Sequence, residues 1–192
     1  MKMSEKKGRL FIISGPSGAG KSTLIDNVLS ELKDFVRSVS VTTRPRRINE
    51  VNGKKYNFLK KSEFKKLAED KKLLEFANYC GFDYGTPEEF VEKELSKGNN
   101  VILEIDVQGA IQVKEKKKDA FMIFISTSSM KILKNRLEKR NTESAVAIDN
   151  RIKVAENELS YQKYYDCILI NNDYNEALLA LKHILKTQKS LK

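Results

Sequence analysis

Hydrophobic positions along the chain fall into short apolar runs that alternate with longer segments of helical spacing. The run Leu10–Ser14 ends at a glycine and is typical of a buried parallel strand. Between Lys21 and Leu32 the apolar residues recur every three or four positions, which predicts an amphipathic helix. The alternation continues along the chain, and strands that alternate with helices predict an α/β fold with a parallel sheet.

The same two patterns predict the remaining elements. Strands are predicted at residues 39–41, 56–59, 74–79, around 84, 101–107, 120–126 and 167–170, and helices at residues 62–71, 87–96, 129–140, 145–163 and 175–187. Thr86, followed by Pro87 and two glutamates, is a helix-start signal with Thr86 as the N-cap. The strand at 101–107 carries two acids, Glu104 and Asp106.

A glycine-rich segment joins the first predicted strand to the first predicted helix. Its sequence, Gly15-Pro16-Ser17-Gly18-Ala19-Gly20-Lys21-Ser22, fits the pattern G-x-x-x-x-G-K-[ST]. The glycines allow backbone N–H groups to converge on one point, and the following helix adds its positive N-terminal end, so the segment is suited to bind phosphate groups. Lys21 would contact the β- and γ-phosphates of ATP, and the Ser22 hydroxyl would ligate Mg²⁺. The candidate ATP-binding residues are Gly15, Pro16, Ser17, Gly18, Ala19, Gly20, Lys21, Ser22 and Thr23.

Composition argues against several other classes of site. The 192 residues include two cysteines and one histidine, so we expect neither a zinc site nor a histidine-dependent catalytic dyad, and we interpret both cysteines as buried free thiols. No apolar run is long enough to span a bilayer, and residues 1–9 lack the apolar stretch of a secretory signal. We therefore expect a cytoplasmic protein without a membrane partner.

The formal net charge of +10 admits nucleic acid, an anionic membrane or small polyanions such as nucleotides as partners. Much of this charge lies in lysine-rich stretches such as residues 60–72 and 114–118, for which a solvated helix face is the simpler explanation. The aromatic-and-basic motif of an RNA-binding module is absent from the sequence. We therefore expect no nucleic-acid partner.

A second series of motifs narrows the choice of nucleotide. In chain order the motifs are Ser38-Val39-Ser40-Val41-Thr42-Thr43-Arg44, Arg47, Glu50, Gly53, Tyr56, Glu75, Tyr84-Gly85-Thr86, Glu104-Ile105-Asp106-Val107-Gln108-Gly109, Arg136-Leu137-Glu138-Lys139-Arg140, Arg151, Tyr165-Asp166 and Asn171. With the phosphate-binding loop, this series resembles the guanylate kinase family over nearly the whole chain. The resemblance implies Mg²⁺-dependent transfer of the γ-phosphoryl group of ATP to GMP, and to dGMP, by a monomer or homo-oligomer.

The resemblance also implies a domain organisation. A single domain would consist of a three-layer P-loop core with a parallel sheet, an inserted GMP-binding lobe and a helical lid. The core would comprise residues 8–38, 95–126 and 165–192, the lobe residues 39–94, and the lid residues 127–164. The lobes are expected to close when both nucleotides bind, because closure excludes water from the reacting groups.

The residue types in these motifs suit a guanine nucleotide. Arg44 and Arg47 can hold a phosphate dianion with bidentate guanidinium forks. Guanine presents two adjacent donors, N1–H and the 2-amino group, for which a carboxylate is the matching pair of acceptors, and the resemblance assigns this role to Glu75. The implied GMP-binding residues are Ser40, Arg44, Arg47, Glu50, Tyr56, Glu75, Tyr84, Thr86, Glu104 and Asp106.

Phosphoryl transfer requires positive charge where negative charge develops. Arg136 and Arg140 lie four residues apart on one face of a predicted helix, although surface charges paired with glutamates would produce the same pattern. The resemblance implies the catalytic residues Lys21, Arg44, Arg136, Arg140 and Arg151, with Asn171 as a further ATP contact. It implies Ser22 and Asp106 as ligands of Mg²⁺, partly through water; capping of the next helix is the structural alternative for Asp106.

The chain departs from the family pattern at three places. Proline follows Arg44 directly, so Arg46 and Arg47 are both candidates for the phosphate contact, and the spacing favours Arg47. Asn49 replaces a glycine, which its tolerance of the left-handed conformation allows. Asn141 replaces another glycine after Arg140.

Three other functions compete with this interpretation. A kinase for AMP or a pyrimidine monophosphate is disfavoured by Glu75 together with Ser40. A non-catalytic, guanylate-kinase-like binding module is disfavoured by the intact Gly20-Lys21-Ser22. A nucleic-acid-dependent ATPase is suggested only by the basic charge, and it would show a steep salt dependence of binding.

Overall fold

The computed structural model describes residues 7–138 and 145–191. Its strands are β1 (Leu10–Ser14), β2 (Phe35–Arg37), β3 (Ser40–Thr42), β4 (Tyr56–Phe58), β5 (Leu73–Tyr79), β6 (Phe82–Pro87), β7 (Asn100–Glu104), β8 (Phe121–Ser126) and β9 (Cys167–Ile170). Its helices are α1 (Lys21–Glu31), α2 (Lys61–Glu69), α3 (Glu88–Ser96), α4 (Val107–Lys116), α5 (Met130–Glu138), α6 (Ala145–Ser160) and α7 (Tyr174–Ser190), with a 3₁₀ turn at Tyr161–Tyr164.

The chain divides into two compact units, and the division falls within β1. The first unit contains the residues up to Phe11 and residues 34–120, and the second contains residues 12–33 and the residues from 121 onward. The predicted division into core, GMP-binding lobe and lid stays a prediction.

The strands form two sheets. In the five-stranded sheet the order is β2-β7-β1-β8-β9, and both outer pairs, β2 with β7 and β8 with β9, are parallel. β1 is buried at every position and β8 at all but its first, as expected of strands covered on both faces. The predicted α/β class with a parallel sheet is confirmed.

The second sheet, with the order β4-β3-β6-β5, is mixed, which the sequence analysis did not predict. β3 and β4 are parallel, whereas β6 is antiparallel to both β3 and β5. The reason is the short turn between β5 and β6, where Cys80 and Gly81 have φ of 51° and 83° and reverse the chain within two residues. This position leaves Cys80 exposed, so its interpretation as a buried thiol is wrong.

One face of the mixed sheet packs against α2. Val41 and Leu73 from the sheet form a buried cluster with Phe64 of α2, and Leu67 and Ala68 extend it. Because side chains alternate along a strand, the residues adjacent to Val41 point to the opposite face. The second face of this sheet is therefore available for polar side chains.

At two of the predicted element ends, the difference from the structure involves a candidate site residue. β7 ends at Glu104, and Asp106 is not a strand residue but the N-cap of α4, where its Oδ1 accepts hydrogen bonds from the N–H groups of Gln108 and Gly109 at 2.7 and 3.0 Å. Thr86 likewise remains within β6, and Pro87 is the N-cap of α3. Thr86 does not cap the helix because its hydroxyl donates to a carboxylate on β5.

The second unit is stabilised by packing between its first and last helices. Leu24 and Val28 of α1 are fully buried, as is Leu181 of α7, and the two helices contact each other along these faces. An ion pair between Lys182 and Glu31 lies at the edge of this contact. Within the described part of the chain, none of the helices combines the length and the apolar character that crossing a membrane requires.

Candidate functional site

The face of the mixed sheet opposite α2 collects half of the predicted GMP-binding residues. The strand register pairs Ser40 with Tyr56 and Thr42 with Tyr84, and directly paired residues point to the same face. Residues two apart on one strand also share a face, which extends the set along β5 and β6. The residues on this face include Ser40, Thr42, Tyr56, Phe58, Glu75, Tyr84 and Thr86.

Arg44 follows β3 and lies beside this face. Its guanidinium forms a bidentate pair with Glu50, with Nη1–Oε2 and Nη2–Oε1 distances of 2.9 and 2.8 Å, and its Nε donates to the Tyr84 hydroxyl at 3.2 Å. The guanidinium carbon lies 5.6 Å from the ring centre of Tyr56 and 5.5 Å from that of Phe58. The hydrogen bonds from Arg44 lower the pKa of Glu50 against the opposing effect of burial. The arrangement fixes a cation in place, with its side chain only 10% exposed.

Glu75 is a buried carboxyl group, with 3% of its surface exposed. Its Oε1 accepts a hydrogen bond of 2.6 Å from the Thr86 hydroxyl. Burial raises the pKa of Glu75 to about 7; the Thr86 hydrogen bond opposes this shift, and the charge of Asp106 adds to it. Burial also raises the pKa of Tyr56, which keeps its phenol protonated and able to donate. The face thus carries a carboxylic acid, Glu75, whose pKa lies near neutral pH, together with tyrosine hydroxyl groups that can donate hydrogen bonds.

The other predicted acceptor residues occupy different environments. Arg47 is exposed, and its backbone N–H donates to Glu50 at 2.9 Å; Arg46 is exposed as well, so the choice between these two arginines stays a prediction. Glu104 pairs with Arg37 at 3.5 Å, with 15% and 9% of the two side chains exposed. The sequence analysis did not identify Arg37 as the partner of Glu104, because β2 has only three residues and no clear hydrophobic periodicity.

The phosphate-binding loop of the second unit has the backbone that its sequence predicts. Gly15, Gly18 and Gly20 have φ of 140°, 91° and 87°. Gly20 is the N-cap of α1, so the positive end of that helix lies at the end of the loop. The ammonium of Lys21 donates to the carbonyl oxygens of Gly15 and, at 3.1 Å, Pro16. Ser22 and Thr23 are exposed at the start of the helix.

Asn171, which directly follows β9, forms a hydrogen bond to the backbone of this loop. Its Nδ2 donates to the Ala19 carbonyl at 2.7 Å, and its backbone N–H donates to the Ser126 carbonyl at 2.7 Å. A Cβ on Gly20 would lie 2.4 Å from the same Nδ2, so this glycine is required for the contact. The structure therefore gives Asn171 a loop-positioning contact, while its contact with ATP stays a prediction.

The predicted lid arginines are placed differently from one another. Arg151 on α6 donates from Nη1 to the hydroxyl of Ser17 at 2.9 Å, which brings a guanidinium onto the phosphate-binding loop. Arg136 on α5 donates from Nη2 to the Asn172 carbonyl at 3.3 Å. Arg140 and Asn141 lie outside the described residues. The structure thus brings together Arg151 and the loop, and it places Arg136 beside the end of β9.

Comparison with known proteins decides the family. The family model described as guanylate kinase matches residues 7–188. The chain belongs to the guanylate kinase family. It is 45% identical to the guanylate kinase of Caldanaerobacter subterraneus subsp. tengcongensis over 185 residues, which cover 96% of this chain and 90% of that protein. It is 44% identical to the guanylate kinase of Oceanobacillus iheyensis over 186 residues, which cover 97% and 90% of the two chains.

A solved guanylate kinase confirms the fold. The crystal structure of guanylate kinase from Anaplasma phagocytophilum superposes with a TM-score of 0.81 at 32% identity, covering 97% of this chain and 89% of that chain. The resemblance stated from the sequence is therefore confirmed. The roles of individual residues are a separate matter, and they stay predictions supported by the contacts described above.

In this guanylate kinase family member, Ser22 of the phosphate-binding loop suits a Mg²⁺ site that nucleotide and water would complete. Among residues 7–138 and 145–191, no group of three or more histidine, cysteine, aspartate or glutamate side chains is arranged to hold a metal ion. Mg²⁺ retains several waters and binds through few protein ligands together with phosphate oxygens. The exposed hydroxyl of Ser22, next to Lys21, fits this kind of site.

The loop glycines of this guanylate kinase family member provide a stability test. At Gly15 a Cβ would lie 1.9 Å from the Ile125 carbonyl oxygen, a backbone atom that cannot move aside cheaply. We expect Gly15→Ala to lower the free energy of unfolding by more than about 3 kcal/mol, from overpacking and backbone strain together. Gly81→Ala is the matched control. Gly81 also has a positive φ, but a Cβ added there would have no atom within 4 Å apart from those of Gly81 itself and its chain neighbours.

Urea unfolding of both variants measures the difference. The Gly81 variant should lose only about 1 kcal/mol, the cost of the backbone conformation alone. Equal losses in the two variants would show that the close approach of the loop to Ile125 does not hold in solution.

Proposed function

We propose that the chain catalyses the Mg²⁺-dependent transfer of the γ-phosphoryl group of ATP to GMP, giving ADP and GDP, and that dGMP is also an acceptor. Membership of the guanylate kinase family supports this activity. The observation that carries the choice of guanine is the buried Glu75, whose carboxyl group lies on the same sheet face as Tyr56 and Tyr84. A buried carboxylate requires hydrogen-bond donors, and the guanine edge supplies two.

In the acceptor half, each residue has a proposed role. Glu75 would accept hydrogen bonds from guanine N1–H and the 2-amino group, and the hydroxyls of Ser40 and Thr86 would contact the base. The GMP phosphate would be held by Arg44, Arg47, Tyr56 and Tyr84. The pairing of Arg44 with Glu50 supports this role, because it holds the guanidinium in one orientation before the phosphate arrives. Glu104 and Asp106 complete the proposed acceptor set.

In the donor half, the loop backbone and the start of α1 would bind the ATP phosphates. The carbonyl contacts of Lys21 would be exchanged for the β- and γ-phosphates, and Arg151 beside Ser17 would add positive charge there. Arg136 and Arg140 are proposed as further lid cations. Ser22, and Asp106 through water, would hold Mg²⁺, which when bound neutralises charge on the phosphate oxygens.

The reaction itself requires little covalent chemistry from the protein. A phosphate oxygen of GMP forms a bond to the γ-phosphorus, and the bond from that phosphorus to the β–γ bridging oxygen breaks, leaving ADP. The protein residues contribute alignment and positive charge for the transferred group. Partners beyond ATP and GMP, such as nucleic acid or a membrane, are not part of the proposal, and the proposed location is the cytoplasm.

A panel of acceptors tests the proposal. ADP release from ATP and Mg²⁺ is followed with GMP, dGMP, AMP, CMP, UMP and dTMP offered separately to the full chain. Turnover with GMP and dGMP alone is expected. Turnover with another acceptor would retain the phosphotransferase and refute the guanine site, and folded protein without turnover on any acceptor would favour a non-catalytic binding module.

GMP binding should depend on pH through Glu75. Its pKa of about 7 in the free protein means that binding, which uses the ionised carboxylate, must displace a proton at lower pH. We expect the GMP affinity to be constant above about pH 7.5 and to fall by up to about tenfold per pH unit below 7. Calorimetric titration with GMP between pH 6 and 8.5 measures this.

Glu75→Gln is the control for this dependence. The GMP phosphate also titrates near pH 6, and its contribution is common to both proteins. The pH dependence of GMP affinity that remains in the variant is therefore due to the phosphate, and the difference in pH dependence between the two proteins is due to Glu75. Identical pH profiles in the two proteins would contradict the assignment.

A further inference from the structure

β5 is an edge strand of the mixed sheet, so within residues 7–138 and 145–191 no strand lies beside its outward backbone groups around Glu75. Side chains from α4 bind these groups instead. Gln112 accepts from the Phe76 N–H at 3.2 Å through Oε1 and donates from Nε2 to the Phe76 carbonyl at 2.8 Å. Lys116 donates from Nζ to the Leu74 carbonyl. The residues on both sides of Glu75 are thus bound by one helix.

The same helix also touches the Glu75 carboxyl group itself. Gly109 lies one turn before Gln112, and a Cβ at this position would be 2.3 Å from Glu75 Oε2 and 2.9 Å from its Cδ. The Gly109 N–H in turn donates to Asp106, which caps the helix. The helix backbone at Gly109 therefore leaves no room for a side chain between it and the carboxyl group, and a shift of α4 against β5 would change this contact.

The identity of residue 112 matters for this contact. A carboxamide carries a donor and an acceptor at a fixed spacing, which matches the N–H and C=O of a single strand residue. Glutamate lacks the donor, methionine lacks both groups, and asparagine is one methylene shorter. Gln112 therefore makes the two hydrogen bonds to the Phe76 backbone that a residue of a neighbouring strand would make, and Phe76 directly follows Glu75.

We propose that Gln112 is a positioning residue for recognition of the guanine base, which it serves by fixing the backbone of Phe76 and thereby the carboxyl group of Glu75. The inference rests on the proposed function, since it requires Glu75 to bind guanine. Gln112 makes no contact with the nucleotide in this proposal. Its effect is to hold a pair of acceptors within the narrow tolerance that two adjacent donors demand.

The test uses Gln112→Met in the full chain, because methionine has a similar length and lacks both hydrogen-bonding groups. Glu115→Met is the matched control, since it places the same side chain on an exposed position of α4. Initial rates are measured with GMP and with inosine monophosphate, which retains N1–H and lacks the 2-amino group, and the KM for ATP is measured in parallel. The ratio of kcat/KM for the two acceptors does not depend on the fraction of folded enzyme.

For Gln112→Met we expect the KM for GMP to rise about tenfold and the preference for GMP over inosine monophosphate to fall about fivefold, with the KM for ATP within about twofold of its original value. Gln112→Glu keeps the hydrogen-bond acceptor and loses the donor, so its KM for GMP and its acceptor preference should lie between those of the original protein and those of Gln112→Met. A merely structural role would reduce the rates with both acceptors equally, and an unchanged acceptor preference in the folded variants would overturn the inference. If the unmodified protein shows no preference for GMP, the proposed function fails instead, which is a separate result.

Discussion

Replacing Lys21 with methionine should lower kcat for phosphoryl transfer to GMP by about a thousandfold or more. The ammonium is held on the carbonyls of Gly15 and Pro16 and is the one side-chain cation that the loop motif itself supplies. Methionine fills a similar volume without charge, so the backbone of the loop should persist. The loss should therefore appear in the transfer step, where negative charge moves onto the β–γ bridging oxygen.

The KM for GMP provides the internal reference for this variant, because the acceptor residues lie in the other unit of the chain. It should stay within about twofold of its original value. Lys33→Met is the matched control: Lys33 follows α1, and its Nζ donates only to the exposed Ser30 carbonyl at 2.6 Å among the contacts described. A kcat for Lys21→Met within tenfold of that of the control would contradict the proposed role of Lys21.

Local patterns predicted much of the fold. The β1–loop–α1 segment was predicted correctly because all of its information lies within about twenty residues: an apolar run, a glycine motif and a helical repeat. The mixed sheet was not predicted as such, because the direction of a strand depends on its partners. The tight turn at Cys80-Gly81 was the available signal, since two strands joined by two residues must be antiparallel.

Contacts between distant parts of the chain also limited what the sequence predicted of the candidate site. The motifs named Glu75, Thr86 and Tyr84, and the register of the mixed sheet places them on one face. The pairs that orient such residues join distant parts of the chain, as in Arg37 with Glu104 and Gln112 with Phe76. No periodicity or spacing in a single sequence reports contacts of this kind.

Replacing Glu75 with glutamine should abolish guanine selectivity. A carboxamide offers one acceptor and one donor where the guanine edge presents two donors, so one donor of the base would face another donor inside a buried site. We expect kcat/KM for GMP to fall by about a thousandfold, with the KM for ATP little changed. Glu69→Gln is the control: it makes the same chemical change on α2, at an exposed residue paired only with Lys65 among the contacts described.

The same substitution should stabilise the free protein at alkaline pH, and the sign of this effect follows from the pKa of Glu75. Because that pKa is about 7 in the folded protein and has an ordinary value of 4.5, the folded state binds a proton more tightly than the unfolded state between these values. The free energy of unfolding therefore falls as the pH rises from about 4.5 to 7, and above pH 7 the folded protein contains a buried carboxylate at a cost of roughly 3 kcal/mol.

Glutamine removes this cost, so urea unfolding at pH 8 without nucleotide should show a variant more stable than the original protein by about 1–3 kcal/mol, with a smaller difference at pH 5. Loss of selectivity together with a gain in stability is the signature of a group retained for binding at the expense of folding. A variant that loses both selectivity and stability at pH 8 would show instead that Glu75 is a structural residue whose carboxylate is already satisfied within the protein.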